Sequence, residues 1–475
     1  MRKHILVLIG LCCAAALNAK VKLPSLIADN MVLQQQTEVK LWGMATPETE
    51  VRVTPSWDGR TATCRAGKDG KWIVKLQTPE AGYTPYHIVF DDGEKLTIEN
   101  ILIGEVWLAS GQSNMEMPLR GFYACPVEGG AEEIINASGE KGLRLFTVPK
   151  AQSYVPQENC GGCWATPTVE SAASFSAVAW FFAKSLNHAL QVPVGIINSS
   201  YGGSKVESWT SGELVKTYPD ICLKKDSIER MTEFLRPVLM YNAMLKPVQN
   251  YTVKGFIWYQ GCSNVDTYET YADRLARMVE LWRKEWGQGD IPFYYVEIAP
   301  HLYREKSQMG KAAFLREAQA KATELIPNSG MISTNDLVEP YERYNIHPRQ
   351  KRKVGQRLSY MALNRTYGLK QLHCFSPQYK SLDVTNGKAI LSFNHLEEGI
   401  CRYCDYEGFE IAGDDKVFYP ADKVRFLWQT GQLEVSSEKV SRPAAVRYCF
   451  SDFRPGNMIG GNELPLIPFR TDNWD

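Results

Sequence analysis

Four short clusters hold the residue types that acyl transfer requires. Ser110-Gly111-Gln112-Ser113-Asn114-Met115 follows an apolar run ending at Ala109, and Ser199-Ser200-Tyr201-Gly202-Gly203-Ser204 follows a run ending at Asn198. Gln260-Gly261-Cys262-Ser263-Asn264 follows Tyr259, and Asn345-Ile346-His347-Pro348 comes after Asp336 and Glu339. A serine on a sharp turn between strand and helix points its hydroxyl out of the sheet, and the unpaired N–H groups of that turn face a developing negative oxygen. Ser113 is therefore a candidate nucleophile. Gly202-Gly203 offers open backbone amides, Gln260 a side-chain amide and His347 an imidazole, the groups that hold an oxyanion and take a proton. Taken singly, each has a plainer reading as a turn, a strand cap, a helix N-cap (Ser199 or Ser200) or an ordinary histidine. Taken together they favour one crevice, because ligands of an open parallel sheet bind beyond the carboxyl ends of its strands.

Other chemistries fit less well. The seven histidines are scattered, with no compact cluster of His and carboxylate, so neither a metal nor another cofactor is expected. Cys160-Gly-Gly-Cys163 and Cys401-Arg-Tyr-Cys404 have metal-knuckle spacing but lie far apart in the chain, and local disulfides or buried thiols suit them better. Cys262 could pair with His347 as a thiol nucleophile, but an exported chain is a poor setting for a free catalytic thiol and Ser113 has the better turn.

The clusters need strands to carry them. Apolar segments at 101–109, 143–148, 194–198, 254–259, 292–298 and 330–333 alternate with helical patterns at 175–186, 271–282, 314–325 and 354–363. Strands followed by helices predict a parallel sheet with helices on both faces. From 21 to about 100 the rhythm differs. Short alternating strands such as Lys71-Trp72-Ile73-Val74-Lys75-Leu76 are separated by Asp58-Gly59, Asp69-Gly70 and Asp92-Gly93, dipeptides suited to tight hairpins, and predict a small β-sandwich. After about Tyr367 the helical period disappears and short strands return. The expected division is a β-sandwich over 20–100, an α/β unit over 101–370 and a β-rich region over 371–475, consistent with 475 residues exceeding one core.

Residues 1–19 read as a secretory signal peptide, with Met1-Arg2-Lys3-His4 as a basic head, then an apolar stretch ending in small residues. Cys12 and Cys13 lie inside it, but the residues before them fit a lipid-attachment signal poorly. Export to a periplasmic or extracellular space is expected, and no later segment is apolar enough over about 18 residues to span a membrane. The 53 basic residues balance the 53 acidic ones and no basic run stands out, so nucleic acid is not an expected partner.

At these motifs the chain resembles the sialate O-acetylesterases, SGNH-hydrolase-like carbohydrate esterases with a flavodoxin-like sheet. The resemblance runs through 104–115, 198–204, Trp258-Tyr259-Gln260-Gly261, Ile346-His347-Pro348 and Pro468-Phe469-Arg470-Thr471-Asp472. It implies Ser113 as nucleophile, His347 as general base, and the amides of Ser113 and Gly203 with the side chain of Gln260 as the oxyanion hole. It implies an O-acetylated sugar as substrate and acetate release from sialic acid. Alternatives are deacetylation of acetylxylan or another polysaccharide at the same site, or a non-catalytic glycan-binding relative. Two positions depart from the family pattern, which has an acidic residue after Gln-Gly and an Asp two residues before the His. Here they are Cys262 and Asn345. Losing the carboxylate that orients a triad histidine costs about 10⁴ in turnover. Either Ser113 and His347 act as a dyad or another acid serves, with Asp336 the first candidate, then Glu339 and Glu342.

Overall fold

The computed structural model describes residues 21–401 and 405–474. The expected signal peptide, and Cys404 of the second cysteine pair, lie outside the described residues. Six parallel strands form the central sheet: β1 (Lys95–Gly111), β2 (Leu143–Thr147), β3 (Val194–Ser200), β4 (Gly255–Tyr259), β5 (Phe293–Val296) and β6 (Ser329–Ile332). They lie in the order β6-β5-β4-β1-β3-β2, and β1 is central, with Trp107 paired to Ile196 on one side and Gly255 on the other. Without β2 and the two-residue antiparallel strand Trp164–Ala165 that pairs on its outer side, the order is that of a flavodoxin-like doubly wound sheet.

Period-two alternation divides the strand residues between two helical layers. Trp107, Ala109, Ile257, Tyr259, Tyr294 and Val296 pack with α1 (Ala177–Leu190) and α4 (Arg352–Arg365). Leu108, Phe256, Trp258, Phe293 and Tyr295 pack on the other face with α2 (Tyr268–Trp286) and α3 (Ala312–Leu325). Strands buried on both faces read as continuous apolar runs, which is why they are conspicuous in the sequence. Each fully buried large side chain of this kind stabilises the fold by roughly 1.5–3 kcal/mol. The ends of the helices are equally local. Ser176 caps α1 by accepting from the amide of Ala179, and α2 stops at Gly287 in the left-handed conformation.

β1 is 17 residues long, and its two halves belong to different surroundings. Its first half pairs antiparallel with Gly82–Asp91 in the N-terminal β region, where Glu50–Pro55 and Ala62–Arg65 continue that sheet. From Ile101 onward every residue of β1 is buried. The change of sequence rhythm near residue 100 is thus one strand passing from a half-solvated sheet into one covered on both faces. At the C-terminal end two four-stranded antiparallel sheets enclose a separate core, in which Leu391, Leu433 and Val435 of one face Ile411, Val446 and Tyr448 of the other.

The described cysteines, Cys160 and Cys163 included, are free thiols, so the local disulfide allowed by their spacing is not formed. Among the described residues no helix is long and apolar enough to cross a membrane.

Candidate active site

The serine turn is shaped by close backbone approach. β1 ends at Gly111, with φ of 140°, where a Cβ would lie 2.2 Å from the carbonyl oxygen of Tyr259. Only glycine fits there. The Gln112 amide donates to that same carbonyl at 3.0 Å, and the Gln112 carbonyl accepts from the amides of Met115 and Glu116, starting the one-turn helix Ser113–Glu116. Ser113 is its first residue, and its own N–H has no acceptor among the described residues.

The loop after β3 is pressed against this turn. Tyr201 donates its amide to the Gly111 carbonyl at 3.0 Å, and Gly202 donates to Glu116 Oε2 at 2.6 Å. A Cβ on Gly202 would sit 3.4 Å from the Ser113 Cβ, and one on Gly203, where φ is 78°, would be driven to 2.4 Å from the Phe234 ring. The Gly203 N–H, like that of Ser113, has no acceptor among the described residues. Two unpaired amides therefore stand on adjoining turns. Glu116, whose other oxygen pairs with Lys150 at 2.5 Å, locks these turns together. Nothing in its spacing marks it out in the sequence.

Gln260 is placed differently from expectation. It is wholly buried, and its Nε2 donates to the Ser204 carbonyl at 3.0 Å and to Asn264 Oδ1 at 2.8 Å. Its Oε1 accepts from the Tyr271 hydroxyl at 3.0 Å. With both amide protons engaged, the side chain has no donor left for an oxyanion. It instead fixes the residue that follows Gly203. Asn264 continues the network to Glu207, which is ion-paired with Arg274 at 2.6 Å.

The histidine loop reaches the serine turn through Asn114, whose Nδ2 donates to the Ile346 carbonyl at 2.9 Å. His347 is half-buried with its ring edge-to-face on Phe122 at 5.1 Å, and its Nε2 is buried without a hydrogen-bond partner. Burial, followed by the charges of Lys351 and His301, lowers its pKa to about 4, so the imidazole is neutral near pH 7. No carboxylate hydrogen-bonds the ring among the described residues. Asp336 does not serve it: both oxygens are forked by Arg357 at 2.7 Å each. Glu342 accepts from the amides of Glu339 and Arg349, and Glu339 accepts from the amide of Glu342. Asn345 Oδ1 turns back to the amide of His347 itself at 3.0 Å. The acids expected near the base are thus engaged in holding the loop.

His301, in the segment after β5, is a neighbour that the sequence reading missed. Its amide donates to the Asp452 carbonyl at 2.9 Å, its ring meets Tyr303 edge-to-face at 4.7 Å, and burial lowers its own pKa. Its position becomes visible only when the β5 and β6 loops are brought together.

A flavodoxin-like doubly wound sheet with a serine turn, unpaired amides and a neutral histidine at the carboxyl ends of its strands has the build of a hydrolase. Residues 103–364 match the family model described as carbohydrate esterase, sialic acid-specific acetylesterase. The chain belongs to this family. It is 29% identical over 423 residues to the human sialate O-acetylesterase, covering 82% of this chain and 79% of that protein. Against the mouse sialate O-acetylesterase the identity is 27% over 487 residues, covering 90% of this chain and 89% of the other. The crystal structure of a carbohydrate acetylesterase from Xanthomonas citri superposes with a TM-score of 0.84 at 35% identity, covering 96% of this chain and 100% of that one.

Proposed function

We propose that the protein is an exported sialate O-acetylesterase working through a Ser113–His347 dyad. The observation that carries this reading is the Asn114 bond to Ile346, which joins the nucleophile turn to the histidine loop beside two unpaired amides. His347, neutral near pH 7, takes the hydroxyl proton as Ser113 attacks the acetyl carbonyl. The amides of Ser113 and Gly203 receive the oxyanion. The sugar alcohol leaves with the proton from His347, and water, deprotonated by the same imidazole, releases acetate from the serine.

Sialic acid is favoured over acetylxylan by charge. Arg304 and Arg343 lie on the exposed loops beside His301 and His347, packed over the ring of Tyr344 at 4.2 and 5.2 Å, and neither guanidinium is paired with a carboxylate among the described residues. A sialic acid brings the carboxylate that they lack; a xylan does not. Export follows from the basic head and short apolar stretch of residues 1–19.

The test is serine-directed fluorophosphonate labelling together with acetate release from O-acetylated sialic acid and from acetylxylan. The expected result is labelling lost in Ser113→Ala and a preference for the sialate. A Ser113→Ala enzyme that keeps its turnover, or an unlabelled wild type, overturns the mechanism; preference for acetylxylan overturns the substrate.

A further inference from the structure

Lys351 sits directly behind the site and is 1% exposed. An ammonium this deep is ordinarily paired with a carboxylate, because an isolated buried charge is costly. Here its hydrogen bond goes to Asn114 Oδ1 at 2.5 Å, its Nζ lies 5.7 Å from the centre of the Tyr259 ring, and no carboxylate ion-pairs with it among the described residues. The ionisable groups around it are Cys262, Glu342 and Cys125, with His347 on the site side. Glu342 has its oxygens engaged by two backbone amides. Cys262 is a buried thiol pushed up to about 11, hence neutral near pH 7 and unable to offset the cation.

We propose that Lys351 is a positioning residue of the dyad, an unpaired buried amine that braces Asn114 against the histidine loop and whose charge sets how readily His347 can become an imidazolium. The inference rests on the dyad reading given above. Asn114 joins the two through one amide group, accepting from Lys351 and donating to Ile346. When His347 takes the serine proton it becomes a cation with no carboxylate beside it, and a charged Lys351 opposes that step. A neutral amine still donates to Asn114 but no longer opposes it. Burial lowers the pKa of Lys351 to about 7, so the change of state falls inside the working range of pH.

Turnover is therefore expected to rise as pH increases through about 7, on account of Lys351 rather than His347, which has already lost its proton. The experiment measures kcat for 4-nitrophenyl acetate from pH 5.5 to 9 in the wild type, Lys351→Met and Cys262→Glu. If the two cations couple by about one pKa unit, Lys351→Met loses the inflection, so that its rate relative to wild type falls about fivefold between pH 6 and pH 9, on top of whatever loss the missing brace imposes equally at every pH. Cys262→Glu supplies the absent carboxylate, cancels the field of the ammonium and likewise flattens the profile. A merely structural lysine would scale the rate at every pH and leave the inflection in place. An unmoved inflection in either folded variant overturns the inference, and should Lys351→Met fail to fold, Cys262→Glu decides it. Labelling of wild-type Ser113 by fluorophosphonate separates the two failures: a labelled serine with unchanged profiles removes only the role of Lys351, whereas an unlabelled serine removes the dyad itself.

Discussion

Asn114 donates its Nδ2 to the carbonyl of Ile346 across 2.9 Å, so the residue after the nucleophile grips the residue before the base. Replacing Asn114 by Ala releases the histidine loop and leaves Lys351 without its acceptor. Misplacement of a catalytic group by an ångström costs on the order of 10² in rate. Asn114→Ala is expected to lower kcat by about that factor with little change in KM, as steady-state kinetics on O-acetylated sialic acid would reveal; an unchanged kcat would show that the strap is not needed.

Gln260 provides a contrast between holding a loop and touching a reacting oxygen. Gln260→Ala leaves the buried Ser204 carbonyl without its donor, at about 1–3 kcal/mol, and takes from Asn264 Oδ1 and the Tyr271 hydroxyl one of the two partners each has. A clear drop in melting temperature is expected alongside any loss of rate. Loss of an oxyanion donor would instead lower kcat by about 10²–10³ with the melting temperature intact. Thermal melts beside kinetics distinguish the two.

The half-buried histidine makes the fold sensitive to acid. Its folded pKa, about 4, lies below the usual value of 6.5, so between those values the unfolded chain binds more protons than the folded one. Stability therefore falls as pH drops through that window and gains no further dependence from this group below it. Melting temperatures taken at pH 6.5 and 4.5 should differ less in His347→Gln than in the wild type; an equal difference would place the acid sensitivity elsewhere.

Arg304 and Arg343 are expected to act on substrate choice alone. Exposed ion pairs contribute about 0.2–1 kcal/mol each, so the double variant Arg304→Gln/Arg343→Gln should raise KM for O-acetylated sialic acid by about two- to thirtyfold. Turnover of 4-nitrophenyl acetate, which has no carboxylate, should stay at the wild-type level. A KM for the sialate that does not move would assign these arginines to the surface and nothing more.

The parts of this site that depend on short stretches of backbone are legible in the sequence. A glycine forced by a neighbouring strand, a serine at the first turn of a helix and a run buried on both faces all leave local marks at Gly111, Ser113 and β1. Side-chain allegiance leaves none. Asp336 sits on the expected strand-end loop, yet it is claimed by Arg357 one helix later; Gln260 stands at the expected strand end, yet Tyr271 and Asn264 turn it inward. The two positions that depart from the family pattern, Cys262 and Asn345, are visible as letters. Their consequence, an unpaired Lys351 beside a histidine that no carboxylate supports, emerges only from packing.

The unbroken course of β1 from the N-terminal sheet into the centre of the crevice acts as a girder. Bending it would break ladder hydrogen bonds on both sides, so the N-terminal region cannot swing as a jaw over the sugar. In the proposed reaction, movement that admits substrate or releases acetate then falls to loops around the site, among them those that place Phe122 on the His347 ring and Phe234 against Gly203.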